Sequence, residues 1–332
     1  MRGHLLQRLL YTGVLVFLVS VISFFIIQLP PGDFVDHYVA DRAGLGDFVS
    51  EREVDALRSR YGLDRPVFVQ YFYWVTDFAA GDMGFSLEYQ RPVRKLIGGR
   101  LALTAIVSFF SIAFAYAMAI PVGVYAATHQ HQVGDYVVTV IGFVGLAVPN
   151  FLLALILMLF LANSFDVSVG GLFSPEYDLA RWTPAKFVDL LKHLPLPLII
   201  VATASTAGLI RVMRSGLLDE LNKQYVITAR AKGVGRQRLL FKYPLRVALN
   251  PIISTVGWVL PEIVSGEAIT AIVLSLPTIG PLLLNALVAE DMYLAGAIVM
   301  LLSILTIVGT FISDVMLSWL DPRIRVEQRV GG

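Results

Sequence analysis

The sequence predicts an all-α polytopic membrane protein with six transmembrane helices and a folded segment outside the membrane after the first. Three observations predict it. Of the 332 residues, 56% are hydrophobic and only 15% are charged, against about 25% charged in a soluble domain. Mean hydropathy is +0.71. Six stretches reach the roughly 20 mostly apolar residues that crossing a bilayer takes: 9–29, 101–127, 136–163, 194–214, 248–274 and 293–320.

The first stretch, Leu9 to Leu29, follows Arg2 and Arg8. A secretory leader would have an apolar core of about 7–15 residues and a small-residue cleavage site. This run is longer and ends in Gln28-Leu29-Pro30-Pro31-Gly32, so it reads as a retained helix. The segment after it contains Ser50-x-x-Glu53, a capping-box pattern, followed by Val54, Leu57 and Tyr61 at helical spacing. The run PVFVQYFYWVTDF suits either the membrane interface, where amphipathic rings are favoured, or packing on the bundle. Gly142, Gly145 and Ala147 in the third stretch, with Gly296 and Gly309 in the sixth, are material for close helix contacts. The fourth stretch opens with Pro195 and Pro197. Proline is tolerated there because the first helical turn has no N–H partner to lose.

Lysine and arginine in the loops set the orientation. The stretch 211–246 holds Arg211, Arg214, Lys223, Arg230, Lys232, Arg236, Arg238, Lys242 and Arg246, opposed only by Asp219 and Glu220. The tail adds Arg323, Arg325 and Arg329. Both segments are expected in the cytoplasm, and six spans then place the N-terminus there too. The acid-rich segment 30–90 falls outside.

Several chemistries lack their residues. Net charge is +1, which gives no general pull toward nucleic acid. There is no cysteine, so disulfides, thiolate zinc sites and cysteine nucleophiles are excluded. No lysine follows a glycine, and no His-Glu-x-x-His or Gly-x-Ser-x-Gly run occurs, so phosphate-loop, zinc-protease and hydrolase motifs are missing. His129-x-His131 reads as a solvated turn. The expectation is a chain with no catalytic residue, no metal and no cofactor of its own.

Ionisable residues inside spans are costly and mark candidate pathways. Glu262, after Pro261, and Glu267 lie in the fifth stretch; Asp314 lies near the end of the sixth. A buried, hydrogen-bonded acid is the alternative role for each.

The stretch TARAKGVGRQRL, residues 228–239, sits between two apolar runs. Tyr225 to Lys232 contains no breaker, and Gly233-Val234-Gly235 ends the predicted helix. Ala229 and Gly233, four apart, form a small face, while Thr228 and Lys232 take the opposite side. Such an element suits docking into a groove on a partner. A solvated loop that obeys the positive-inside rule has the same composition.

This stretch resembles the cytoplasmic loop of permease subunits of ATP-binding-cassette importers, in the dipeptide/oligopeptide/nickel group. Ala229 and Gly233 match the general loop signature, while Ile227 and Thr228 replace its first two positions. The peptide-type variant is matched throughout by Thr228, Ala229, Arg230, Ala231, Lys232 and Gly233. Further motifs follow in order: LPPGDFVD; YGLDRPVFVQYFYWVTDFAAGDMGFS; AVPNFLLAL; and DVMLSWLDPRIR. LSLPTIGPLL keeps Pro277 and Gly280 but has Thr278 where the family often has glycine, and Ala271 stands where many members carry an acid. Those departures bear on the substrate rather than the fold.

The resemblance implies a type I ABC importer permease fold in the bacterial inner membrane. It implies a coupling helix over 224–236 that includes Tyr225, and a translocation route past Pro277 and Gly280. The implied partners are a second homologous permease, two ATPase subunits or domains holding ATP and magnesium, and an external solute-binding protein. The expected parts are a first helix (1–29), an outer segment (30–97), a permease core (98–320) with its coupling loop at 215–246, and a tail (321–332). A peptide is the expected substrate, with an oligosaccharide or another small solute as the alternative. A stand-alone secondary carrier is the competing class.

Overall fold

The computed structural model describes residues 2–28, 34–44, 49–86, 88–165, 170–178, 180–256 and 268–320. Glu262 and Glu267 lie outside the described residues, as does the tail, and Asp314 is described in its backbone only. In chain order the helices are α1 (Arg2–Ile27), α2 (Phe34–Gly44), α3 (Glu51–Tyr61) and α4 (Val67–Ala79), followed by the short hairpin β1 (Phe85–Ser86) and β2 (Arg91–Pro92). Then come α5 (Val93–Thr128), α6 (Val133–Ala147), α7 (Asn150–Phe165), α8 (Pro175–Asp178), α9 (Pro184–His193) and α10 (Pro195–Leu221). The rest are α11 (Gln224–Ala231), α12 (Arg236–Lys242), α13 (Pro244–Ser254), α14 (Ala268–Val273), α15 (Ile279–Val288) and α16 (Met292–Leu320). The chain divides into two compact units, 1–104 with 278–307 and 105–277 with 308–332.

Among the described residues three helices are long and apolar enough to cross a membrane: Val93–Thr128, Pro195–Leu221 and Met292–Phe311. The predicted first stretch is helical as far as Ile27 among its described residues, with a shorter apolar part at Leu10–Phe25. The third stretch, expected to be one span, is broken. α6 and α7 meet at a bend of 102° and count as a fourth span only if taken together. Proline supplies the cause. Pro149 has no N–H to give, and it pushes the residue before it out of the helical region; Val148 is accordingly extended, at φ −85 and ψ 121. The fifth stretch is described only at its ends, by α13 and α14.

In the first unit Ser50 caps α3, accepting from the Glu53 backbone N–H at 3.4 Å, which is the serine half of the expected capping box. Val93, Ile97, Leu282, Leu294 and Ile298 make the core. The aromatic run divides by face. Trp74 is 4% exposed and packs on Phe24 and Met300, whereas Phe68 is 76% and Phe72 62% exposed. Trp74 lies so near α16 that a Cβ on Gly296 would stand 3.3 Å from its ring. The Gly-Asp-Met-Gly-Phe-Ser motif has a mechanical role. Gly84 adopts φ +78, where a Cβ would run into the Tyr293 ring at 2.7 Å. Ser86 is thereby delivered to Asp291, which caps α16 through the Leu294 N–H at 3.1 Å.

In the second unit α10 is the central rod, packed against α13, α6, α7 and α9. Ala115, Ala119, Ala202, Leu209, Met213 and Ile252 fill the core around it. Of the small residues singled out in the third stretch, Gly145 sets a close approach, since a Cβ there would meet Thr203 at 3.3 Å and Ala207 at 3.4 Å, whereas a Cβ on Gly142 would meet nothing within 4 Å and Ala147 is exposed. Pro195 and Pro197 stand in the first turn of α10, and the helix runs on through Arg211 and Arg214 to Leu221.

Candidate functional site

α10 ends at Leu221, Asn222 caps it, and Lys223 in extended conformation starts α11. The joint is fastened by a side chain, since the Tyr225 hydroxyl donates to Glu220 Oε2. Partial desolvation of the hydroxyl, then the bond to the Glu220 carboxylate, pushes the Tyr225 hydroxyl above its ordinary range. Within α11, Thr228 Oγ1 donates to the Gln224 carbonyl at 2.8 Å. The helix closes where the glycine pattern places it. Gly233 takes φ +78, its N–H donates to the Arg230 carbonyl at 3.0 Å, and the Val234 N–H donates to the Ala229 carbonyl at 3.3 Å. Left-handed glycine at a helix end is the standard solution for orphaned carbonyls. Gly235 then leads into α12.

The two short helices fold on each other. Val226 (0% exposed), Ala229 (6%) and Leu239 (5%) form a small core, covered by Val234 and Tyr243. This corrects the expected small face. Ala229 is inside the loop's own core and not open to a partner. Its burial follows from α12 returning across α11, which brings Leu239 onto that side. Gly233 is exposed, and a Cβ there would meet nothing within 4 Å. The outer face is made of Tyr225, Ile227, Thr228, Arg230, Ala231, Lys232 and Gly233, all exposed. Behind it lies a cleft of about 460 Å³, lined by the end of α5 (Ala127, Thr128), the end of α10 (Leu221, Asn222), and Arg230, Val234, Arg236, Leu239 and Leu240. The two guanidinium groups give this cleft a cationic edge.

Two of the pathway candidates, Pro277 and Gly280, are among the described residues. Pro277 is half-buried and ends the segment of the second unit that precedes α15; Gly280 is half-buried in α15, in the first unit. The turn before Pro277 is held by the Leu276 N–H donating to the Ala271 carbonyl at 2.7 Å, and Leu274 accepts from the Gly171 N–H at 2.7 Å. Ala271, 1% exposed, faces protein. The start of α15 is held by Thr104, whose Oγ1 accepts from the Ile279 N–H at 2.9 Å.

Among the described residues no group of three or more His, Asp or Glu is placed to hold a metal ion. His129 stacks on Tyr125 with ring centroids 4.5 Å apart, and the His131 N–H donates to Asp135 at 3.1 Å. Sequence reasoning passed over Asp135, which binds Arg214 through both carboxylate oxygens. The available signal was a lone acid opening an apolar stretch.

Residues 119–326 match the family model described as binding-protein-dependent transport system inner membrane component, and residues 1–108 match its N-terminal companion. The chain is similar to the oligopeptide transport system permease protein AppB of Bacillus subtilis, 32% identical over 325 residues, covering 98% of this chain and 99% of that one. It is similar to the oligopeptide transport system permease protein OppB of Haemophilus influenzae, at 28% over 328 residues with 98% and 100% covered. It is also similar to the dipeptide transport system permease protein DppB of Escherichia coli K12, at 27% over 323 residues with 92% and 94% covered. A central rod carrying a short capped helix with an exposed cationic face thus stands in a chain that belongs to the family of binding-protein-dependent transport system inner membrane components.

Proposed function

We propose that this chain is a permease subunit of an ATP-driven, binding-protein-dependent importer, forms half of its translocation pathway, and takes its drive through the segment 224–236. The observation that carries the coupling role is the exposed Thr228–Lys232–Gly233 face of α11, mounted by a two-residue joint on α10. ATP and magnesium belong to two partner ATPases, which press on this face when they close. A second homologous permease completes the pathway, and an external solute-binding protein delivers the substrate. The substrate class is peptide, supported by the oligopeptide and dipeptide systems named for the relatives.

In this reading the chain crosses the membrane six times, counting α1, the bent α6–α7 pair and the 248–274 stretch with the three long helices. Both termini and the 215–246 loop are cytoplasmic; residues 30–97 are external. Glu262, Glu267, Pro277 and Gly280 are assigned to the route. Alternating access follows from rigid-body movement of the packed helices.

The experiment replaces Gly233 by leucine in the complete importer. Gly233→Leu is expected to abolish hydrolysis stimulated by the binding protein while the chain still inserts. Lys232→Ala is expected to change it little, since an exposed cation contributes roughly 0–1 kcal/mol to a contact. Wild-type stimulation in Gly233→Leu contradicts the coupling role. Uptake by the chain reconstituted without ATPases would make it a stand-alone carrier.

A further inference from the structure

The coupling reading raises a mechanical question: what keeps a push on α11 from being lost in movement of α10 against its neighbours? Arg214 lies in the last part of α10, before its end at Leu221. Its Nε donates to Asp135 Oδ1 at 2.7 Å and its Nη2 to Oδ2 at 2.9 Å. Asp135 stands in the first turn of α6 and is 2% exposed. The His131 backbone N–H donates to the same Oδ2 at 3.1 Å, so the carboxylate also holds the turn that joins α5 to α6. Next to Arg214, Met213 meets α5 at Gly123, where a Cβ would stand 2.7 Å from the Met213 Cβ and 3.1 Å from the Ile210 carbonyl oxygen. The end of α10 is therefore pinned on two sides.

A two-bond guanidinium–carboxylate fork fixes angle as well as distance. With its carboxylate buried and its guanidinium side chain 28% exposed, an ion pair of this kind adds little net stability compared with an apolar pair of the same volume. What it supplies here is a defined geometry. From the clamp, α10 runs unbroken to Leu221, and only Asn222 and Lys223 separate it from α11. Resting on the proposed coupling role, we infer that Asp135 and Arg214 are a positioning pair: they make α10 a stiff lever, so that displacement of α11 carries α5 and α6 with it.

The test uses the complete importer in proteoliposomes, with the solute-binding protein purified with its endogenous ligand. The readout is the ratio of hydrolysis with binding protein to hydrolysis without it, together with the amount of ATPase that copurifies. Asp135→Asn and Arg214→Lys are expected to lower that ratio at least fivefold with ATPases bound at the wild-type amount. The reciprocal exchange, Asp135→Arg with Arg214→Asp, is expected to regain at least half of it. An unchanged ratio in both single variants overturns the proposal. So does failure of all three variants to accumulate in the membrane, since that assigns the pair to folding alone. Failure of the coupling reading is separately visible: Gly233→Leu would then keep wild-type stimulation, whereas failure of the pair alone leaves Gly233→Leu uncoupled and the Asp135 series normal.

Discussion

Ser86 donates its hydroxyl hydrogen to Asp291 Oδ2 at 2.6 Å, across 205 residues of sequence. Both residues are fully buried. Asp291 also accepts from the Glu88 N–H at 3.2 Å and the Leu294 N–H at 3.1 Å, so one carboxylate holds the hairpin and caps α16. Asp291→Ala should destabilise the first unit by about 2–4 kcal/mol, the loss of a cap plus stranded buried donors. Ser86→Ala should cost less. The thermal unfolding midpoint of the detergent-solubilised chain checks both; a midpoint for Asp291→Ala equal to wild type would show that the staple contributes nothing.

Ala229 and Gly233 should respond differently to enlargement. Ala229→Leu overfills the small core with Val226 and Leu239, at about 1–3 kcal/mol, and should speed tryptic cleavage at Arg230 and Lys232. Gly233→Ala meets no neighbour and carries only the backbone cost, about 1 kcal/mol. Equal cleavage rates in wild type and Ala229→Leu would contradict the buried placement.

The orientation can be read directly, because the chain has no cysteine. A single cysteine at Arg52, exposed in α3, should react with an impermeant thiol reagent in intact cells. A cysteine at Lys232 should react only after permeabilisation. The reverse pattern inverts the topology.

The 170–193 segment should weaken in acid. Burial alone would raise the Asp189 carboxyl, but the Ser174 backbone and hydroxyl donors, with His193 and Lys192 nearby, outweigh it and hold the group below the ordinary carboxylate range. The folded chain binds this proton less readily than the unfolded chain. The bonds therefore contribute their full stability above the unfolded value of about 4, and it is lost as the pH falls through the depressed folded value. Hydrogen exchange across α9 should accelerate over that window. Asp189→Asn should remove this pH dependence; an unchanged pH profile in the variant would assign it to another group.

Local signals were legible in the sequence. Ser50 with Glu53, the prolines at the head of α10, and the glycine that ends α11 each act through atoms within a few residues, and each stands where its pattern implies. The bend at Pro149 was not read: the sequence makes 136–163 one span. The apolar run around it is long enough to hide a break that costs one N–H and one extended residue. Ala229 was misread because a small residue serves a docking face and a tight interior equally; only the return of Leu239 decides between them. The Asp135–Arg214 fork joins residues 79 apart. In one sequence neither residue carries a mark of its partner.

The coupling claim is tested most directly by a photo-crosslinking residue, benzoylphenylalanine, placed at Lys232 in the complete importer. Lys232 is exposed at the end of α11. Irradiation should give an adduct with an ATPase subunit, and its yield should change when ATP is trapped. The same probe at Phe68, exposed in α4, should give none. An adduct at Lys232 with the solute-binding protein, or an ATPase adduct from Phe68 and none from Lys232, would contradict the assignment of α11 as the coupling helix.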